Sequence, residues 1–292
     1  MTDHRPSLLL VGHGSGSSAG VDAYWQFASV LRKEAPELQV GCGFIELASP
    51  DLDAAIDKLV ADGATSVVAV PLVLLGAGHL KNDGPAALAR GRERHPTVEF
   101  RYARDLGIHP SPLEVAEERI RQTIGDDDPS DWAVVVVSRG SSDPDANADL
   151  YKVGRLLWDG RGLAMVEPAF VSLAPPSLRQ ALDRCRQLGA CRIAVLPYFL
   201  FTGVLVDRIH DQAIEWAAAT TPGVEVRVGP ELGPDPRLAR LVLERYREAV
   251  EGDVRMNCDC CAYRIALPGH EHRVGAPVPV HHHHHEGGMD AD

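Results

Sequence analysis

No stretch of 18 apolar residues occurs in the 292-residue chain, so no segment reads as a membrane-spanning helix. The opening residues, MTDHRPSLLLVGHGS, lack the charged start, apolar stretch and small-residue cleavage site of a signal peptide. A cytoplasmic protein without a membrane partner is expected. Positive charge is in short supply: 29 Lys and Arg stand against 41 Asp and Glu, a formal net charge of −12. Nucleic acid, whose phosphates demand a basic face, is therefore not an expected partner. Cysteine is also scarce. Of the six present, three crowd into the tail as Cys258, Cys260 and Cys261. That grouping makes no disulfide framework, and in a reducing cytosol it points to metal or redox chemistry.

The chain does contain itself twice. "VGHGS" (11–15) returns as "VSRGS" (137–141), and "FIELASP" (44–50) as "FVSLAPP" (170–176). "DGATSVVAVPLVLL" (62–75) returns as "LGACRIAVLPYFLF" (188–201), and "DLGIHP" (105–110) as "ELGPDP" (231–236). Each pair starts 126 positions apart (11 to 137, 44 to 170, 62 to 188, 105 to 231). One offset across four blocks means two copies of one domain with no net insertion between them. The expected division is 1–124, an acidic linker "GDDDPSD" within 125–131, a second copy over 132–250, and a tail over 251–292.

Apolar runs alternate with amphipathic stretches in each copy. In the first, strands are expected near 7–12, 38–46, 66–73 and 98–102, and helices near 20–34, 51–62, 80–94 and 112–124. Val-rich runs such as "SVVAVPLVLL" and "WAVVVVS" read as strands covered on both faces. A βαβα alternation gives parallel sheets with right-handed crossovers. The expected fold is α/β: two tandem, internally repeated, doubly wound parallel-sheet domains with a cleft between them. Ligands in such sheets bind beyond the carboxyl ends of the strands.

His13 follows the first strand, Glu46 ends the second and His79, in "GAGHLKND", follows the third. Neighbouring strands would bring two imidazoles and a carboxylate into one pocket. That set suits Co2+, Ni2+, Fe2+ or Zn2+ and also accepts protons near neutral pH. Gly12 and Gly14 let the chain turn sharply beside His13. In the second copy the same three places hold Arg139, Ser172 and Leu205. The fold was kept and the ligand set was not, so the fold itself does not require His13, Glu46 or His79. Arg139 suits a substrate carboxylate; Gly14, Ser15 and Ser141, in the paired loops, offer further anion donors. His4, His95, His109 and His210 read as ordinary surface or core histidines. "GSGSSA" (14–19) fits a dinucleotide-binding fingerprint, but the second copy has "GSSDPD" and no acidic residue closes the second strand at the usual spacing; nucleotide binding is not expected.

The tail has Gly, Pro and clustered metal ligands: Cys258, Cys260 and Cys261, then His270 and His272, then His281, His282, His283, His284 and His285. It reads as a flexible, native metal-gathering tract. Three thiolates could hold a soft metal, or an iron–sulfur cluster if a fourth ligand were supplied.

Taken together, the "GHGS" loop, "GAGHLKND" after "VPLVLL", the "FIELASP" strand end and the doubled domain resemble the sirohydrochlorin chelatases, class II chelatases of the CbiX/SirB type, over about residues 7–248. The resemblance implies insertion of a divalent metal into sirohydrochlorin without ATP, between two domains. It carries metal-holding and proton-accepting roles onto His13 and His79, with Glu46 assisting. Met256, Cys258 and Cys261 are similar to the Met-x-Cys-x-x-Cys of the long cobaltochelatase form, from which the extra Cys260 departs; Gly84, in "NDGP", departs from the family's larger apolar residue. Cobalt, and hence cobalamin synthesis, is the expected assignment, because the tail histidines favour Co2+ and Ni2+ over Fe2+. A ferrochelatase of sirohaem synthesis is the second reading, and a non-catalytic metal store or metallochaperone a third. The sequence leaves an oligomer open.

Overall fold

The computed structural model describes residues 5–220, 223–252, 266, 268–269 and 271–274, with the side chains of His79 and Leu80 set aside. The first repeat runs β1 (Ser7–Gly12), α1 (Ser18–Glu34), β2 (Val40–Phe44), α2 (Leu52–Ala61), β3 (Ser66–Pro71), a π-helical turn (His79–Asp83), α3 (Gly84–Arg94), β4 (Glu99–Tyr102) and α4 (Pro110–Ile124). The second runs β5 (Ala133–Ser138), α5 (Pro144–Trp158), β6 (Met165–Phe170), α6 (Leu178–Gln187), β7 (Arg192–Pro197), α7 (Val204–Ala219), β8 (Glu225–Val228) and α8 (Pro236–Glu251). Two four-stranded, all-parallel sheets result, ordered β2-β1-β3-β4 and β6-β5-β7-β8. Among the described residues no helix is long and apolar enough to cross a membrane.

Side chains on the central strands alternate between two cores, as period-2 geometry requires. Leu8 and Leu10 of β1, with Val134 and Val136 of β5, enter one core shared by both repeats. Leu9 and Val11 face α2 and α3, while Val135 and Val137 face α6 and α7. This two-sided burial explains why β1 and β5 read as unbroken apolar runs.

The repeats also exchange their last helices. α4 packs on β7 and β8 of the second sheet, and α8 packs on α1, β3 and β4 of the first. Arginines placed 126 residues apart pin the exchange in matched pairs. Arg101 on β4 donates to Ala249 O (3.3 Å) and Val250 O (2.6 Å) at the end of α8. Its counterpart Arg227 on β8 donates to Thr123 O (3.3 Å) and Ile124 O (2.8 Å) at the end of α4. Each guanidinium satisfies carbonyls that a helix C-terminus leaves open and sits at the negative end of the helix dipole.

Candidate active site

The cleft between the repeats, about 1000 Å3, lies at the carboxyl ends of the strands, where open parallel sheets place their ligands. Its first wall begins with the His13 loop. Gly14 has φ +97°, and a side chain there would drive Cβ into the Glu46 carbonyl oxygen. Only glycine meets both demands. The close approach lets Ile45 N–H donate to Gly12 O (2.9 Å) and Glu46 N–H to His13 O (3.1 Å). The two segments are thus zipped backbone to backbone, which delivers the His13 and Glu46 side chains to the same spot.

Glu46 does not end the second strand as expected. β2 stops at Phe44, whose N–H bonds Pro50 O (2.9 Å) as the chain folds into a short loop. Glu46 stands two residues further on. Leu47 follows with φ +62° and is 66% exposed, although it is a large apolar residue. Its counterpart across the repeat, Leu173, is 63% exposed. Both line the cleft from opposite walls. Two exposed leucines at equivalent strand tips suit the apolar faces of a flat ligand.

His13 Nε2 lies 3.5 Å from Glu46 Oε1 and 3.3 Å from Arg139 Nη1. Nδ1 lies 3.3 Å from Gly14 O. A guanidinium has donors only, so Nε2 accepts from Arg139 and the ring proton sits on Nδ1, facing the Gly14 carbonyl. His13 therefore presents a neutral imidazole whose lone pair meets a cation, with a carboxylate alongside. Arg139 holds the place in the second repeat that His13 holds in the first, so the two strand-tip residues meet across the cleft.

The other expected residues are placed as follows. Ser15 lines the cleft and its Oγ accepts from Ser17 N–H (3.1 Å). Ser141 also lines it; its N–H donates to Asn147 Oδ1 (3.0 Å) and its Oγ accepts from Asp143 N–H (3.0 Å). The Ser141 amide is thus committed within its own loop, and only the hydroxyl proton is left to serve a ligand. The backbone of His79 opens the π-helical turn, eight residues beyond β3, and its side chain lies outside the described residues. Gly84, just after that turn, leaves room for the Tyr102 ring, which a Cβ would strike. Burial, with Asp105 and Asp83 nearby, pushes the Tyr102 phenol up to about 12.

His95 pairs with Asp57 (2.7 Å) and His109 caps α4 by accepting from Ser111 N–H (3.1 Å), both structural uses. Cys258, Cys260, Cys261 and His281–His285 lie outside the described residues, as do His4 and Met256. Among the described residues no group of three or more His, Cys, Asp or Glu side chains could hold a metal ion.

Sequence reasoning missed four contributors. Arg208 on α7 adds a second cation to the wall that carries Arg139. Leu47 and Leu173 were visible as a repeated apolar residue beside each strand tip. Lys81, in the His79 turn, bridges to Asp143 (2.6 Å) and Asp145 (2.9 Å) at the start of α5. That pair ties the His79-bearing turn to the opposite repeat.

The CbiX family model matches residues 7–123 and 133–249, once per repeat. The chain is 38% identical over 271 residues to a sirohydrochlorin cobaltochelatase of Priestia megaterium, covering 91% of this chain and 87% of that protein. It is 34% identical over 211 residues to a sirohydrochlorin ferrochelatase of the same organism, covering 72% and 79%. Among solved structures, SirB from Bacillus subtilis with Fe3+ superposes with a TM-score of 0.74 at 28% identity, covering 85% of this chain and 98% of that one.

Proposed function

The chain belongs to the CbiX family, and from that premise we infer that it is a sirohydrochlorin cobaltochelatase, inserting Co2+ into sirohydrochlorin without ATP on the route to cobalamin. The observation that carries the reading is the meeting of His13, Glu46 and Arg139 at one point of an interdomain cleft flanked by exposed leucines. The chain divides on this reading into a metal-bearing unit (1–124), a linker (125–131), a macrocycle-gripping unit (132–250) and a tail (251–292).

Two pyrrole N–H protons leave sirohydrochlorin as the metal enters. The neutral His13 Nε2 holds the metal or takes a proton, and the Glu46 carboxylate offsets the charge that develops beside it. His79 shares the work on the strength of the family resemblance and its place at the cleft edge. The macrocycle lies between Leu47 and Leu173, and its carboxylates bond Arg139, Arg208, the Ser15 and Ser141 hydroxyls and the Gly14 loop. The metal is substrate throughout. Relatives named for cobalt and for iron are both similar to this chain, and imidazole with carboxylate accepts several first-row ions. The cobalt assignment rests on the long relative and on the tail.

The deciding experiment is competition in one anaerobic vessel: equal free Co2+ and Fe2+, sirohydrochlorin limiting, products separated by mass. Mostly cobalt product is expected. Mostly iron product would move the protein to sirohaem synthesis, and no metallated product from either ion would favour the metal-store reading.

The tail, with Cys258, Cys260, Cys261 and His281–His285, serves as a metal supply; a cluster there needs a fourth ligand from elsewhere. A chain ending at Glu251 is expected to match the full rate when Co2+ is saturating and to fall several-fold behind when Co2+ is scarce, read from the macrocycle's absorption change. Complete loss at saturating metal, with the fold intact, would make the tail part of the site.

A further inference from the structure

On the chelatase reading, we propose that Arg139 holds the metal's seat at His13 until a carboxylate of the incoming macrocycle draws it away, so that the macrocycle binds before the metal. The argument starts from one lone pair. His13 Nε2 faces Arg139 Nη1 at 3.3 Å and Glu46 Oε1 at 3.5 Å, and the ring's other nitrogen faces the Gly14 carbonyl at 3.3 Å. An imidazole has one lone pair to give, and here it is given to a guanidinium. A divalent metal needs that same lone pair and the same carboxylate. Metal and Arg139 therefore compete for the seat twice over, by occupancy and by repulsion of like charges.

The carrier of that cation is built to leave. Arg139 is an exposed side chain on the loop after β5, and its hold on His13 is one long bond to a neutral ring. A carboxylate offers a guanidinium two parallel charge-assisted bonds, a stronger partnership. The exchange uncovers Nε2 and Glu46 at the moment a macrocycle is in place to receive the metal. Repeat symmetry accounts for the arrangement. Positions 13 and 139 are equivalent strand-tip positions that face each other across the cleft, so changing one copy to arginine puts a cation on the histidine of the other.

The test is a Co2+ titration of the full-length protein without macrocycle, for wild type, Arg139→Ala, His13→Ala and the double variant. Tail sites are common to all four and cancel in the comparison. Arg139→Ala is expected to bind Co2+ about tenfold more tightly at the cleft site, the gain expected when a like charge a few ångströms away is removed in a half-exposed site, and the gain should vanish in the His13→Ala background. Arg139→Gln, which removes the charge but keeps a polar hydrogen-bonding group, should show the same gain. In steady state the KM for Co2+ should fall while the KM for sirohydrochlorin rises, opposite shifts that mere loosening of the loop would not produce. Unchanged Co2+ affinity in both Arg139 variants, or a gain that survives loss of His13, would overturn the proposal. Turnover of wild type in the same preparation tests the chelatase reading separately.

Discussion

Replacing His13 with alanine is expected to lower the rate of metal insertion by roughly 10²–10⁴-fold at saturating metal, the range a positioned acid–base group contributes. The expectation follows from geometry. His13 is the described side chain on which both a carboxylate and the opposing repeat's cation converge, and its Nε2 is the lone pair turned toward the cleft. The fold has little stake in it. Its side chain is partly exposed, and the second repeat builds the same strand tip with arginine. Unfolding by urea should therefore shift by less than about 0.5 kcal/mol, as for a surface substitution. Glu46→Gln keeps size and removes charge, so it should cost less, on the order of tenfold. The assay follows the absorption of sirohydrochlorin against a no-enzyme control. A folded His13→Ala protein that inserts metal at the wild-type rate would put the reacting centre elsewhere in the cleft.

The internal repeat made most of this legible. Positions that keep one structural role at an offset of 126 build the fold. Asp51 and Ser177 both cap helices, His109 and Asp235 both cap the exchanged helices, and both central strands are buried throughout. The pair 13 and 139, whose chemistry differs between the repeats, faces the cleft. What the sequence could not convey was the exchange of α4 and α8. Amphipathic patterning says that a helix has an apolar face and is silent on which sheet covers it, because both sheets offer equivalent surfaces. The matched arginines 101/227 and 119/245 carried the information, but a repeated arginine looks like any solvated charge until its acceptors are known. The extent of β2 was missed for a local reason: the backbone bonds of Ile45 and Glu46 continue toward β1 after Phe44 has already turned away.

Arg245→Ala is expected to be the most destabilising of the charge substitutions, at about 3–5 kcal/mol, because it strips one partner from a buried ionic cluster. Arg245 is fully buried on α8. It donates to Asp105 O (2.9 Å) and Leu106 O (2.7 Å) of the first repeat, and to Glu248 Oε1 (3.0 Å) one turn along its own helix. Glu248 is itself buried and also accepts from Arg104 of the first repeat (2.8 Å). Removal leaves two carbonyls without their partner and a buried Glu248 with Arg104 as its one remaining described cation, at the place where the exchanged helix enters the other domain. The chain supplies its own comparison. Arg119, 126 residues earlier on α4, donates to Glu231 O (3.1 Å) and Leu232 O (3.2 Å) in the same way, but the position matching Glu248 is Gln122. The buried carboxylate near Arg119, Asp235 (3.6 Å), is also held by Arg237 (2.8 Å), so Arg119→Ala should cost only about 1–3 kcal/mol, the price of unmade hydrogen bonds. Urea unfolding of the two variants side by side reads the difference. A larger loss for Arg245→Ala assigns the excess to the stranded Glu248, and Arg245→Ala combined with Glu248→Leu should then recover part of it. Equal losses would mean that the carbonyl contacts alone hold the exchanged helices, with the buried carboxylate satisfied by Arg104.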